Sequence, residues 1–206
     1  MKIYSIIREE EYRKLSKLEI KGSILDLGGN MKSEYHSLIK GDHKFTSVNI
    51  DSKYGCDMVF DIQNPFPIEN EKFDAVISMN VFEHIYGFEN AFSETYRVLK
   101  KNGTFVFAVP FMHHIHGCPD DYFRYTNSTL EKCLIIRGFK YIKIQEIGFG
   151  LFSLIYQTCS GMLPSFTKPV FKNLFISIDK ILLKVSNKYV TLAKRIPLGY
   201  FVIAKK

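Results

Sequence analysis

The chain has 206 residues, 28 of them Lys or Arg and 21 Asp or Glu, for a formal net charge of +7. That length fits one domain, and 46% hydrophobic with 24% charged residues excludes a disordered chain. The charge is local: residues 1–150 carry 19 basic and 20 acidic side chains, while residues 151–206 carry nine basic residues and a single acid, Asp179. This distribution argues against a uniformly basic nucleic-acid binder and describes a neutral domain with a basic, apolar tail.

The cysteines Cys56, Cys118, Cys133 and Cys159 form no CxxC pair. Reduced thiols in a cytoplasmic protein are expected. Met1 to Arg8 is too short for a signal peptide and is followed at once by Glu9, Glu10 and Glu11. No apolar run reaches the length of a membrane span.

The elements follow in chain order. Tyr12, Leu15 and Leu18 suggest a leading helix. Ser23 to Leu27 reads as a buried strand entering a tight Gly28-Gly29 turn. A helix is expected over Glu34 to Lys40. Strands are expected at Phe45–Ile50, ending at Asp51, and at Met58–Phe60, ending at Asp61. Pro65 and Pro67 make a loop. Phe73 to Ser78 is a fourth strand, and Phe88, Phe92, Tyr96 and Leu99 recur at helical spacing up to an Asn102-Gly103 stop. Thr104 to Val109 is a fifth strand, followed by a polar, aromatic loop from Phe111 to Thr126. Ser128-x-x-Glu131 reads as a capping box for a helix to Arg137. Phe139–Ile147 and Gly199–Ala204 complete the strands. Alternating strands and helices of this kind predict an α/β sheet, with ligands bound beyond the carboxyl ends of the strands.

Three carboxylates stand at or near such ends: Asp26, Asp51 and Asp61. The dinucleotide fingerprint GxGxxG and the P-loop GxxxxGK[ST] are both absent. A lone Asp-x-Gly is equally well a structural turn. Here it is one of a series: Ile24-Leu-Asp-Leu-Gly28, Val48-Asn-Ile-Asp51, Phe60-Asp61, Pro65-Phe-Pro67, Phe73-Asp-Ala-Val-Ile77, Val81-Phe-Glu-His84 and Arg97-Val-Leu-Lys-Lys-Asn-Gly103. In order and spacing these segments resemble the class I S-adenosylmethionine-dependent methyltransferases of the type 11 kind, over residues 20–150. The resemblance implies a Rossmann-like, seven-stranded, mostly parallel sheet. Its last strand would be antiparallel, with helices on both faces. It also implies a single domain: a cofactor-binding core at 1–150, a basic apolar helical insertion at 151–198 and a final strand at 199–206. S-adenosylmethionine would be the cofactor. Asp26, Gly28 and Gly29 would cradle its methionine half, Asp51 its ribose, Asp61 and Ile62 its adenine, and Asn80 would line the pocket near the methyl. The family's glycine loop is altered at Asn30 and Lys32, and Asn30 would tolerate a left-handed backbone.

On the acceptor side the candidates are His84, His113, Tyr122 and Arg124. His84 and His113 would act as base or acceptor contact, or else as hydrogen-bonded loop residues. The string Pro119-Asp-Asp-Tyr-Phe-Arg-Tyr-Thr126 would form a lid in which Tyr122 and Tyr125 stack on the acceptor, or a loop pinned by Arg124 pairing with Asp120 or Asp121. It resembles a branch associated with cell-surface glycan synthesis. Glu83 reads as a helix-start acid. His113-His-Ile-His116 with Cys118 is too tightly spaced for a structural zinc frame, and no metal is expected.

In the tail, Val170, Phe171, Leu174, Phe175, Ile178, Ile181, Leu182 and Val185 fall on one arc of about 140° at helical spacing. Lys172, Lys180 and Lys184 lie outside it, as do Ile176 and Leu183. The arc is expected to pack on the sheet or the preceding helix; the other reading is a basic amphipathic surface on an anionic membrane, or a homodimer contact through 151–198. The reading that results is O-methylation of a small or glycan-type acceptor, in the cytoplasm or peripherally at the inner membrane face. A quinone-like or lipidic acceptor is the enzymatic alternative, and a non-catalytic scaffold with a degenerate glycine loop is the other.

Overall fold

The computed structural model describes residues 4–117 and 120–206. Among these, seven strands form one sheet in the order β3-β2-β1-β4-β5-β7-β6. The strands are β1 (Gly22–Leu27), β2 (His43–Asn49), β3 (Met58–Val59), β4 (Phe73–Met79), β5 (Leu99–Pro110), β6 (Tyr141–Ile147) and β7 (Gly199–Lys205). β1 to β5 pair in parallel. β7 slots antiparallel between β5 and β6.

The central strands are apolar on both faces, as a doubly covered sheet requires. Side chains alternate along β5: Phe105 and Phe107 enter the core formed with α2 (Phe88–Val98) and α3 (Asn127–Ile136). Val106 and Ala108 enter the opposite core, with Ile6, Ile7 and Leu15 of α1 (Ile6–Leu15). Both cores are fully buried at their centres. β1 ends where β4 ends, so the Gly28 turn and the residues after Met79 share one end of the sheet.

Several local expectations are corrected. Residues Glu34–Leu38 form a 3-10 turn, because Tyr35 and His36 are drawn down onto Asp26. The α3 cap is Thr126, whose Oγ1 accepts from Thr129 N at 3.3 Å, so Ser128 lies inside the helix. β5 begins at Leu99, which pairs with Phe73, and the Asn102-Gly103 step with Asn102 at φ +64° is an irregularity within the strand. The Asp51 side chain lies beyond β2, which ends at Asn49.

The tail forms α4 (Leu151–Cys159), α5 (Lys168–Val185) and α6 (Asn187–Arg195). Its orientation is turned from the expectation, and of the expected arc Phe175 packs inward while Ile178 and Leu182 are half-buried. The inward face of α5 carries Lys172, Phe175, Ile176 and Asp179, whereas Val170, Leu174, Ile181 and Val185 are exposed. Two polar anchors decide this. Asp179 accepts from Phe152 N (3.0 Å), Ser153 N (2.7 Å) and Ser153 Oγ (2.5 Å), and from the Tyr189 hydroxyl. Lys172 pairs with Glu9 of α1. A buried acid with four donors is satisfied only when it faces the start of α4. Among the described residues no helix is long and apolar enough to cross a membrane.

Candidate functional site

The turn after β1 is bare backbone. Gly28 has φ +82°, and a Cβ there would lie 2.3 Å from Val81 Cγ2. A Cβ on Gly29 would fall 1.8 Å from Asp26 Oδ2. Asp26 itself is fully buried and accepts from the Tyr35 hydroxyl at 2.7 and 2.8 Å and from His36 Nε2 at 2.7 Å. Burial pushes its pKa up, with His36 and Tyr35 pulling the other way. Asp26 thus braces the turn from beneath. Asn49, the last residue of β2, holds the Gly28 and Gly29 carbonyls through Nδ2, each at 3.1 Å. Asn30 is not among the residues with positive φ; its Oδ1 accepts from Lys32 N at 2.8 Å in an Asx turn, leaving Lys32 exposed.

Facing this turn, the segment after β4 turns sharply at Asn80, φ +55°. Asn80 Nδ2 donates to Glu11 Oε1 at 2.8 Å. Glu11, from α1, is fully buried; its Oε2 has no hydrogen-bond partner, and Arg8 Nε lies 3.9 Å away. Burial raises the Glu11 pKa to about 7, against the opposing pull of Asn80 and Arg8. Three residues on, Glu83 is also fully buried, and neither carboxylate oxygen has a hydrogen-bond partner. Its pKa is pushed up to about 8, first by burial and further by Glu11 and Asp121, with its own amide and Arg124 offsetting part. Sequence reading took Glu83 for a helix-start acid. It instead occupies a three-residue 3-10 turn, closed over by the loop whose Tyr122 N and Phe123 N donate to its carbonyl at 2.7 and 3.2 Å.

The acceptor-side candidates divide. His84 Nδ1 contacts Asp120 O at 2.5 Å, and its Nε2 lies 3.6 Å from Glu83 Oε1. His116 Nε2 lies 3.9 Å from the same oxygen. Arg124 grips Asp121 with two bonds, of 2.5 and 2.6 Å, and holds the Asp121 pKa far below the usual range. That is the loop-pinning alternative. Tyr122 is half-exposed, bonded to Asp120 Oδ2 at 3.0 Å and edge-on to Tyr86. Tyr125 is not part of a lid: it is buried, its hydroxyl donating to Phe82 O at 3.0 Å. His113 turns toward α4, where its Nε2 is 3.4 Å from Gln157 Nε2, and burial lowers its pKa. There Phe111, Met112, His113, Leu154, Gln157 and Thr158 line a cavity of about 300 Å³.

The cofactor-side residues are less uniform. Asp51 is half-buried, capping the 3-10 turn Ser52–Tyr54 through Lys53 N at 2.9 Å and pairing with Lys53 Nζ at 3.0 Å. Asp61 accepts from Gln63 N at 2.9 Å. The Ile62 side chain is buried in the core. Cys118 and Pro119 lie outside the described residues. Sequence reasoning missed Glu11 altogether and undervalued Glu83 and His116. An acid at the polar edge of α1 gives no signal until the helix is packed on the sheet.

These features can be set beside known proteins. Residues 28–107 match the model of a methyltransferase domain family. No curated protein sequence matches significantly. Among solved structures, phosphoethanolamine N-methyltransferase 2 of Haemonchus contortus, in complex with S-adenosyl-L-methionine, is 15% identical with a TM-score of 0.58. That alignment covers 96% of this chain and 51% of the other, so the chain spans about half of that relative's length. A SAM-dependent methyltransferase from Archaeoglobus fulgidus is 18% identical with a TM-score of 0.59, over 98% of this chain and 92% of that one. The [4+2]-cyclase SpnF is 13% identical with a TM-score of 0.61, over 98% and 80%. The matched segment opens at the bare Gly28 turn and runs past Glu83 and His84 into β5; over that segment the chain is similar to a methyltransferase domain family, and its fold is that of S-adenosylmethionine-dependent methyltransferases.

Proposed function

We propose that the chain moves a methyl group from S-adenosylmethionine to a hydroxyl of a small or glycan-type acceptor presented at an anionic membrane surface. The observation that carries the donor half is the bare Gly28-Gly29 turn opposite buried Glu11, whose Oε2 lacks a hydrogen-bond partner and suits a ligand bearing an ammonium and a sulfonium. Gly28, Gly29, Asn80 and Glu11 would hold the methionine half. Asp51 would take the ribose hydroxyls, and Asp61 with the backbone of Ile62 would border the adenine. When bound, S-adenosylmethionine supplies an electrophilic methyl carbon on sulfur. His113, kept neutral by burial, would take the acceptor's proton as its oxygen bonds to that carbon and the carbon–sulfur bond breaks. Tyr122 and Tyr86 form an aromatic rim suited to a sugar face or an apolar ring.

The mainly apolar cavity beside His113 favours a second acceptor, a quinone-like or other lipidic alcohol. The exposed apolar arc of α5, flanked by Lys180 and Lys184, supports a membrane-borne substrate in either case. The SpnF likeness keeps a third chemistry in view, since a fold alone does not fix a reaction.

Titration calorimetry with S-adenosylmethionine and S-adenosylhomocysteine tests the donor half; the absence of heat at millimolar ligand removes the enzyme reading. Asp51→Ala is expected to weaken binding by about ten- to a hundredfold, the loss of one or two charge-assisted bonds. Unchanged affinity would move the ribose elsewhere. Mass spectrometry of glycan and lipid-alcohol acceptors after incubation, scored for one added methyl, separates the two acceptor classes.

A further inference from the structure

We propose that Glu83, His84 Nε2 and His116 Nε2 form a three-ligand site for a divalent first-row transition cation of the zinc type. The sequence cluster His113 to His116 with Cys118 is not the donor set. The three donors here come from two separate loops, one after β4 and one after β5.

The geometry is specific. The ligand atoms all lie within 4.8 Å of one another, with Glu83 Oε1 3.6 Å from His84 Nε2 and 3.9 Å from His116 Nε2. Two atoms sharing an ion at about 2.1 Å sit about 3–4 Å apart. These separations are too long for hydrogen bonds and right for a shared ion. The histidines are also oriented as metal ligands are. His84 directs Nδ1 at the Asp120 carbonyl (2.5 Å); His116 directs Nδ1 toward the His114 carbonyl (3.3 Å) and Asp121 Oδ2 (3.4 Å). A proton on each Nδ1 satisfies those acceptors and leaves both Nε2 lone pairs turned on a carboxylate. Asp121 is in turn fixed by Arg124 and by His116 N at 2.8 Å.

The second observation is independent of that cluster. Glu83 is fully buried, yet both its oxygens lack a hydrogen-bond partner. A buried carboxylate left in this state is costly unless a cation or proton meets it. Arg124 does not supply the charge, because Asp121 already occupies its guanidinium. Glu11 adds a second buried acid in the same region. Two imidazoles and one carboxylate select a borderline cation over magnesium, and the other coordination positions stay open to a small oxygen ligand.

The test uses the full chain without a histidine tag, stripped with chelator and dialysed against zinc, manganese or magnesium chloride. Elemental analysis is expected to find about one zinc per chain, with weaker manganese retention and no magnesium, as the divalent affinity order requires. Cobalt(II) should give visible d–d bands at the same stoichiometry. Glu83→Gln and His116→Ala should each weaken zinc binding by more than about tenfold, and Asp121→Asn by about tenfold through His116. His114→Ala, which removes a neighbouring imidazole and keeps the carbonyl, should leave zinc affinity unchanged. Circular dichroism identifies a variant that fails to fold; His116 lies on a part-exposed loop, so His116→Ala decides the matter if Glu83→Gln does not fold. Zinc far below one per chain, equal affinity in wild type and His116→Ala, or equal losses in His114→Ala and His116→Ala would each overturn the site. None of these readouts depends on methyl transfer.

Discussion

Glu11 shows how a binding site can be built at the expense of stability. Its pKa rises from an ordinary carboxylate value to about 7 on folding, chiefly by burial. The folded state therefore binds more protons than the unfolded state between about pH 4.5 and 7, and stability falls as pH rises through that window. Above pH 7 the penalty is on the order of 3 kcal/mol. Glu11→Gln should thus raise the melting temperature of the ligand-free protein at pH 8, flatten its pH dependence and weaken binding of S-adenosylmethionine. A variant that was no more stable at pH 8 would mean that the acid is already compensated. Gly28→Ala should act in the opposite direction, costing about 1–3 kcal/mol for a left-handed alanine alone, plus displacement of Val81. Chemical denaturation measures it. At this scale legibility followed sequence distance. Asp26 and the glycine turn were readable because strand, acid and glycine are adjacent in the chain. Glu83 was misread because its carbonyl is bound by the amides of residues 122 and 123, in a loop that no local pattern ties to it.

At the scale of elements, apolar count was a poor guide to which face of α5 turns inward. The arc from Val170 to Val185 holds more hydrophobic residues than the face that is buried. Asp179 and Lys172 decide the outcome, since a charge with waiting partners outweighs several aliphatic contacts. Asp179→Asn should therefore destabilise the insertion by about 2–4 kcal/mol, because an amide cannot accept from the donors at Phe152, Ser153 and Tyr189 with both atoms. Limited trypsin digestion should then cut at Lys180 and Lys184 faster than in wild type while β1 to β5 remain intact; equal cutting rates would show that the aliphatic contacts suffice. The strands themselves were legible as short apolar runs, most of them closed by Asp, Asn or Gly, whereas the 3-10 turn at Glu34–Leu38 was not, because its geometry is imposed by Asp26 below it.

For the whole molecule, the division of charge seen in the sequence becomes a division of surface. Most basic residues of 151–206 lie on α5 and α6, and the outward apolar arc lies on α5, while the acids Asp26, Glu11 and Glu83 cluster at the end of the sheet that carries the Gly28 turn. Flotation with vesicles rich in anionic lipid should carry the protein upward at low salt, and Val170→Glu with Ile181→Glu should abolish this while leaving calorimetric binding of S-adenosylmethionine intact. Flotation that persists in the double variant would place the contact elsewhere. The seven-stranded sheet with its antiparallel last strand was anticipated through resemblance; the seating of the insertion on α1 was not, because it depends on a pair 163 residues apart, Glu9 and Lys172. That pair makes α1 a crossbar. Glu9 fastens one side of the helix to the insertion, and Glu11, two residues on, reaches the turn after β4. A lesion that loosens residues 6–15 therefore presents as two defects from one cause, in surface attachment and in donor binding, and a genetic screen would score the same helix under both headings.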